Sequence, residues 1–302
     1  MIAWPPFPWF GGKGLIARTV WAALGQVDHY IEPFAGGLAV LRARPDWSPG
    51  QALAETINDR DGYVVNFWRA MKRHPHRLAR RADRPVYEIE LDAARQLLRR
   101  EEGLAAWLRG GLARCDVDLA AAWAYAISAA SGFTFHSFGK PRRIRNGVCR
   151  AVDHASWFAA LAARLRHVRV LCGDWQRSLS RGELGRPEET VGIFLDPPYD
   201  VQTGRYKSLY RCEMNTSRDV TEWCRAQGRS RRLRIVVAGY AGEHDLLAKS
   251  GWRVVAWSAR GFANTRKFAN TRKSGGGQEL RHKERLWLSP GCLDPHRQEP
   301  IG

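Results

Sequence analysis

Long apolar runs are missing from this sequence, which excludes the simplest kind of membrane protein. No stretch approaches the roughly 20 apolar residues that a membrane-spanning helix needs. The N-terminus also lacks the apolar segment of a signal peptide. We therefore expect a cytoplasmic protein that makes no membrane contact.

Cysteine is sparse, and its spacing argues against a metal centre or a disulfide framework. The six cysteines are scattered, and no C-x-x-C pair or matching histidine spacing is present. Structural zinc sites and small disulfide scaffolds depend on such spacing. We expect reduced, mostly buried thiols and no bound metal.

Acidic residues are few relative to basic ones. The chain of 302 residues has 48 Lys and Arg against 30 Asp and Glu, a net charge of +18. Such an excess is typical of proteins that bind polyanions. Only eight of the cations are lysines, and arginine suits bidentate contacts with phosphate and guanine. A biased genome composition could produce the same arginine excess.

The most informative segment is Ile193-Phe194-Leu195-Asp196-Pro197-Pro198-Tyr199. Its apolar residues predict the end of a buried strand, and the two prolines prevent that strand from continuing. The turn offers the Asp196 carboxylate and carbonyl oxygens beside the ring of Tyr199. Such acceptors next to an aromatic ring favour a flat substrate with an exocyclic amino group, which means a nucleobase. A proline-rich turn that merely stops a strand is the alternative.

A glycine turn near the N-terminus predicts a cofactor loop. A short strand at 29–31 leads into Glu32-Pro33-Phe34-Ala35-Gly36-Gly37 and then the start of a helix. Glycines allow the backbone to approach a ligand closely, and a helix N-terminus contributes partial positive charge. The spacing is neither that of a P-loop nor the full G-x-G-x-x-G pattern.

A second strand ends at Asp59, about twenty residues after the glycines. An acidic residue at this interval commonly accepts hydrogen bonds from ribose hydroxyls. The alternative role is an N-cap for the helix that follows from Gly62, a position for which Asp61 is well suited. Both roles are compatible with the sequence.

Residues 75–150 form the least regular part of the chain. Helical patterns at 88–100 and 117–129 lead into a loop at 131–146, in which aromatic and basic residues alternate. Rings can stack or wedge against bases, and guanidinium groups can bind phosphates. A solvated basic loop is the alternative. The DNA-contact candidates are Lys140, Arg142, Arg143 and Arg145.

The alternation of strands and helices resumes after residue 150. We predict a helix at 157–165 and strands at 168–175, 234–240, 252–257 and 284–289, with a helix at 243–249. Between the last two strands, a six-residue segment is repeated directly at 262–267 and 268–273. Two short copies cannot form a solenoid, so we interpret them as a duplication in an exposed loop.

Three motifs in this order resemble the D12 class of DNA adenine N6-methyltransferases. They are Trp9-Phe10-Gly11-Gly12-Lys13, Glu32-Pro33-Phe34-Ala35-Gly36-Gly37 and Asp196-Pro197-Pro198-Tyr199. The resemblance implies an α/β fold with a Rossmann-like, doubly wound mixed sheet. It further implies a catalytic domain at 1–74 and 151–302, with residues 75–150 inserted as a mainly helical target-recognition subdomain.

The resemblance also implies S-adenosylmethionine as cofactor and double-stranded DNA as substrate. Trp9, Lys13 and Phe34 would contact the cofactor, the loop of Ala35, Gly36 and Gly37 would lie under its methionine moiety, and Asp59 would hold its ribose. Asp174 would accept from the cofactor's adenine amino group, and Asp196 would also contact the cofactor. The protein is expected to act as a monomer or as a transient dimer on DNA, in the manner of a restriction-modification methyltransferase.

In the implied reaction, Asp196 and the Pro197 carbonyl accept the two N–H bonds of the target amine. Pro198 shapes the turn, and Tyr199 stacks on a base that has been flipped out of the duplex. N4-cytosine methylation is the rival within this chemistry, but cytosine enzymes resemble Ser-Pro-Pro-Tyr, so Asp196 favours adenine. A basic DNA-binding protein that has lost catalysis is the other alternative.

Overall fold

The computed structural model describes residues 5–9, 12–99, 103–130, 133–134, 137–138, 147–199, 216–257 and 284–295. Its main feature is a mixed seven-stranded sheet flanked by helices, with strand order β5-β2-β1-β6-β7-β9-β8. This confirms the predicted α/β class. The strands are β1 His29–Glu32, β2 Ala54–Asp59, β5 Val168–Cys172, β6 Val191–Leu195, β7 Leu233–Tyr240, β8 Arg253–Ala256 and β9 Glu284–Leu288, with a separate hairpin of β3 Phe133–Thr134 and β4 Ser137–Phe138.

Ten α-helices occur in the described residues. They are α1 Ala17–Leu24, α2 Ala39–Arg42, α3 Gly62–Arg73, α4 Pro75–Ala82, α5 Glu88–Arg99, α6 Leu104–Arg109, α7 Val117–Ala129, α8 His154–Leu165, α9 Ser217–Gln227 and α10 Asp245–Lys249. Three short 3₁₀ helices span Lys13–Leu15, Gly147–Cys149 and Trp175–Leu179. The helices predicted at 88–100 and 117–129 are therefore confirmed to within a residue.

The chain divides into two compact units, and the described part of the first comprises residues from 5–13 and 32–183. In it, β2 and β5 pair in parallel, and α7 packs against α3, α4 and α5. All but one of the thirteen residues of α7 are buried, which explains its nearly uniform apolar sequence. This division of the chain does not test the predicted insertion at 75–150, which remains a prediction.

Aspartates cap three of the longer helices of this first unit, α3, α7 and α8. The side chain of Asp61 accepts from Tyr63 N, that of Asp116 from Leu119 N, and that of Asp153 from Ala155 N. Each bond satisfies a backbone N–H that has no partner within its helix. The predicted role of Asp61 as the N-cap of α3 is therefore confirmed.

The second unit contains described residues from 14–31, 184–199, 216–257 and 284–295. Residues 29–31 of β1 pair in parallel with β6, and β6 with β7, while β9 runs antiparallel to both β7 and β8. All five residues of β6 are buried, as expected for a strand with a neighbour on each side. The turn at 196–199 therefore leaves the carboxyl end of a buried strand, as the sequence predicts.

His244 is a fully buried titratable group in this unit. Its Nδ1 lies 2.7 Å from Thr221 Oγ1, and Nε2 has no hydrogen-bond partner in the described structure. Because Thr221 Oγ1 donates to the Ser217 carbonyl, His244 Nδ1 is the donor to that hydroxyl. Burial lowers the pKa of His244 to about 4, so the ring is neutral near pH 7.

Candidate cofactor-binding and catalytic sites

The glycine turn after β1 is held through both backbone polar groups of Gly36. Gly36 N donates to Asp59 Oδ2 over 2.9 Å, and the Gly36 carbonyl accepts from Trp68 Nε1 over 2.8 Å. Gly36 has φ +43°, and a Cβ there would overlap the indole of Trp9. Only glycine combines this left-handed conformation with such a close neighbour. The turn is therefore rigid and carries no side chain on the face that Trp9 covers.

A second left-handed residue follows in the same turn. Leu38, at the N-cap of α2, has φ 54° and ψ 37° and is fully buried. A branched side chain in this conformation costs on the order of 1 kcal/mol and persists only where its surroundings enforce it. The Ala35 N–H also donates to the Asn58 carbonyl over 2.9 Å. Such enforced conformations are typical of ligand-binding loops.

Asn58, at the end of β2, ties three segments of the first unit together. Its Nδ2 donates to the Pro33 carbonyl over 3.1 Å and to the Gly173 carbonyl over 3.0 Å. Gly173 N in turn donates to the Asp59 carbonyl over 2.9 Å. The Oδ1 of Asn58 is buried and has no hydrogen-bond partner among the described residues. Sequence reasoning assigned Asn58 no role, because its partners lie far away along the chain.

Asp59 belongs to the glycine turn rather than to a helix cap. Its Oδ1 accepts from Asp61 N over 2.9 Å, while Oδ2 accepts from Gly36 N. Burial, and to a smaller extent the neighbouring Asp61 carboxylate, raise the pKa of Asp59 to about 7 against the backbone N–H groups that lower it. The Arg60 N–H is a third backbone donor to this carboxylate, so one of its roughly four acceptor sites remains open. Asp59 can therefore accept a further hydrogen bond, and its charge changes near neutral pH.

The other predicted cofactor residues differ in how closely they approach this turn. A Cβ on Gly37 would lie 3.3 Å from Trp9 Cβ, so Trp9 covers both glycines. Phe34 stacks on Trp175, with 6.1 Å between ring centroids. Lys13 is buried at the start of its 3₁₀ helix. The structure thus brings Trp9, the turn and Asp59 together within the first unit.

Asp174 is exposed, and its side chain has a local structural role. Its side chain accepts from Gln176 N over 3.0 Å at the start of the 3₁₀ helix Trp175–Leu179. The preceding residue, Gly173, donates its N–H to the Asp59 carbonyl. Asp174 therefore directly follows a residue that is hydrogen-bonded to the end of β2. A contact with the cofactor's adenine remains a prediction.

The predicted catalytic turn lies in the second unit. Asp196 and Pro198 are partly exposed, and Pro197 and Tyr199 are buried. The ring of Tyr199 meets that of Tyr240 edge-on, with centroids 4.5 Å apart and planes at 68°. Its hydroxyl donates to Glu284 Oε2 over 3.4 Å. Sequence reasoning missed Tyr240 and Glu284, since neither is close to the turn along the chain.

Several candidates lie outside the described residues. These are the predicted DNA contacts Lys140, Arg142, Arg143 and Arg145, together with the repeat at 262–273. Within the described ranges, no helix is long and apolar enough to cross a membrane. Those same ranges hold no group of three or more His, Cys, Asp or Glu side chains that could bind a metal ion.

One comparison with known proteins finds a match over the segment that contains the glycine turn. Residues 9–103 match the family model described as D12 class N6 adenine-specific DNA methyltransferase. The match includes Trp9, Lys13, the turn and Asp59, and it confirms the predicted resemblance over this range. Members of this family are described as methylating the N6 position of adenine in DNA. No curated protein matches the chain.

Proposed function

We propose that this chain is a site-specific methyltransferase that moves a methyl group from S-adenosylmethionine to the N6 amino group of adenine in DNA. Its residues 9–103 match the D12 class of adenine-specific DNA methyltransferases. The observation that carries the proposal is the glycine turn, whose Gly36 N–H is bound to the Asp59 carboxylate within that matched range. The turn at 196–199 supports it independently, because it lies outside the match and offers acceptors suited to an amino group.

The residues of the first unit fit the cofactor. S-adenosylmethionine, when bound, supplies a methyl group carried on a positively charged sulfur. Gly36 and Gly37 have no side chains, and a Cβ on either residue would come too close to Trp9. The backbone of the turn and the Trp9 side chain are therefore in direct contact. Asp59, at the end of β2, has an open acceptor site for a ribose hydroxyl, and the buried Asn58 Oδ1 is a further acceptor. We assign the binding of the cofactor to these residues together with Trp9 and Lys13.

The turn at 196–199 activates and orients the target amine. An adenine amino group is a poor nucleophile, because its lone pair is delocalised into the ring. The Asp196 carboxylate and the Pro197 carbonyl accept its two N–H bonds, which favours a pyramidal nitrogen with an available lone pair. The carboxylate also stabilises the positive charge that develops on the nitrogen during transfer. Rate enhancement therefore comes mainly from positioning and electrostatics.

The target base must leave the duplex to reach these acceptors, since its N6 atom is inaccessible within the base stack. We propose that the flipped adenine stacks on Tyr199. The net charge of +18 supports binding to the DNA backbone, for which Lys140, Arg142, Arg143 and Arg145 are the proposed contacts.

Single-turnover methyl transfer to DNA tests the role of Asp196. Removing a preorganised electrostatic partner typically lowers the rate about 10²–10³-fold. Asp196→Ala should show a loss of this size and should retain DNA binding. Asp219→Ala is the matched control, because Asp219 is an exposed carboxylate on α9 of the same unit. An Asp196→Ala variant with more than a tenth of wild-type turnover would refute the assignment.

A further inference from the structure

Two neighbouring side chains contact Tyr199 of the catalytic turn. Its hydroxyl donates to Glu284 Oε2, and its ring contacts the ring of Tyr240. Tyr240 ends β7 and Glu284 begins β9, and the two residues are direct partners in the antiparallel ladder. Both contacts with Tyr199 therefore come from the paired strands β7 and β9, whereas the turn itself follows β6.

The two contacts restrain different motions of the ring. The hydroxyl lies on the axis about which a tyrosine ring rotates, so the bond to Glu284 fixes the tip of the ring but not its plane. The edge-on contact with Tyr240, at an interplanar angle of 68°, restrains the plane. Together they define both the position and the tilt of the ring.

Glu284 is an unusual residue at this place. It is only 7% exposed, and a carboxylate removed from water is costly unless it is hydrogen-bonded. An apolar side chain would cover the start of the strand at lower cost. The tyrosine hydroxyl is one donor that compensates the burial, with 3.4 Å between the two oxygens.

We propose that Glu284 and Tyr240 are positioning residues for Tyr199, holding its ring at the tilt on which the flipped base stacks. This inference rests on the proposed function. A preset ring offers the base a stacking surface without first losing its own rotational freedom. Both residues act through Tyr199 and lie outside the segment that matches the D12 class.

The test uses the full-length protein, S-adenosylmethionine and an unmethylated duplex that contains the sequence on which the wild-type protein acts. Glu284→Ala should lower the single-turnover rate by about tenfold, the effect of one lost hydrogen bond of ordinary strength. Glu284→Gln keeps a carbonyl acceptor and should stay within about threefold of wild type. Glu222→Ala, at an exposed carboxylate of the same unit, is the control and should leave the rate unchanged.

Two further readouts separate positioning from general damage. With 2-aminopurine at the target position, Glu284→Ala should reduce the fluorescence change that accompanies flipping, while cofactor affinity stays at the wild-type value. The effects of Glu284→Ala and Tyr199→Phe should also be non-additive, because both remove the same bond. Additive effects, or a Glu284→Gln variant as slow as Glu284→Ala, would overturn the inference.

A double-mutant cycle of unfolding free energies tests the contact between Tyr199 and Glu284 independently of the proposed function. Urea unfolding of Tyr199→Phe, Glu284→Ala and the double variant measures whether the two side chains interact, whatever reaction the protein catalyses. Coupling without adenine methylation would contradict the proposed function and leave the contact intact. Methylation without coupling would overturn the positioning role alone.

Discussion

Cofactor binding should depend on pH through one carboxylate, that of Asp59. The surrounding protein raises its pKa to about 7, whereas an aspartate in water titrates near 4. Ribose hydroxyls donate more strongly to a charged carboxylate than to a neutral acid. Binding of S-adenosylmethionine should therefore favour the ionised form and weaken as pH falls through 7.

The size of the effect follows from the pKa of about 7. At pH 6 only about one Asp59 in ten is ionised, whereas at pH 8 about nine in ten are. If only the ionised form binds, affinity falls by roughly tenfold over this interval, or about 1.4 kcal/mol. An Asp59 that titrated near 4 would give no change between pH 6 and 8.

Calorimetric titration of wild type and Asp59→Asn at pH 6, 7 and 8 measures this dependence. The cofactor's own amino group also titrates, but its contribution is common to both proteins and cancels in their difference. Asp59→Asn should bind more weakly by roughly 1–3 kcal/mol and should lack the part of the pH slope that comes from Asp59. Identical slopes, or unchanged affinity in the variant, would refute the assignment of Asp59 to the ribose.

Three other predictions concern the turn, the core and the DNA contacts. Gly36→Ala, with φ +43° and an indole in the path of its Cβ, should lose at least about 1 kcal/mol of unfolding free energy; Gly182→Ala, with open space around its Cβ, should not. His244 has a folded-state pKa of about 4, so it stabilises the fold above pH 6.5, and this contribution falls by about 3 kcal/mol as pH drops to 4. Because Asp59 shifts stability in the opposite direction over this window, the difference in unfolding free energy between wild type and His244→Asn is the quantity to follow. Replacing the three arginines of 142–145 with alanine should weaken DNA binding and flatten its salt dependence by about one unit per lost phosphate contact; unaltered affinity and slope would leave the loop a solvated surface.

The sequence predicted those parts of the site that depend on local pattern. Paired glycines after a strand and an acidic residue at the end of the next strand were enough to place Gly36 and Asp59 in one loop region. Two prolines after an apolar run were enough to predict the turn that begins at Asp196. Each of these signals is a short-range constraint on the backbone, and the structure confirms the elements on which they lie.

The residues that support the site were not predictable in the same way. Trp68 binds the Gly36 carbonyl from 32 residues away, and Asn58 reaches Gly173 across 115 residues. Glu284 lies 85 residues after Tyr199. An indole, an amide or a carboxylate at such separations gives no periodic signal, and its partner becomes apparent only when the strands are assembled.

Identification of the modified base tests the central claim most directly. Duplex DNA incubated with the purified protein and S-adenosylmethionine is digested to nucleosides, and the methylated nucleoside is identified by mass spectrometry. We expect N6-methyladenine with the wild-type protein and almost none with Asp196→Ala. N4-methylcytosine, or the absence of any methylated base under conditions in which the protein binds DNA, would contradict it.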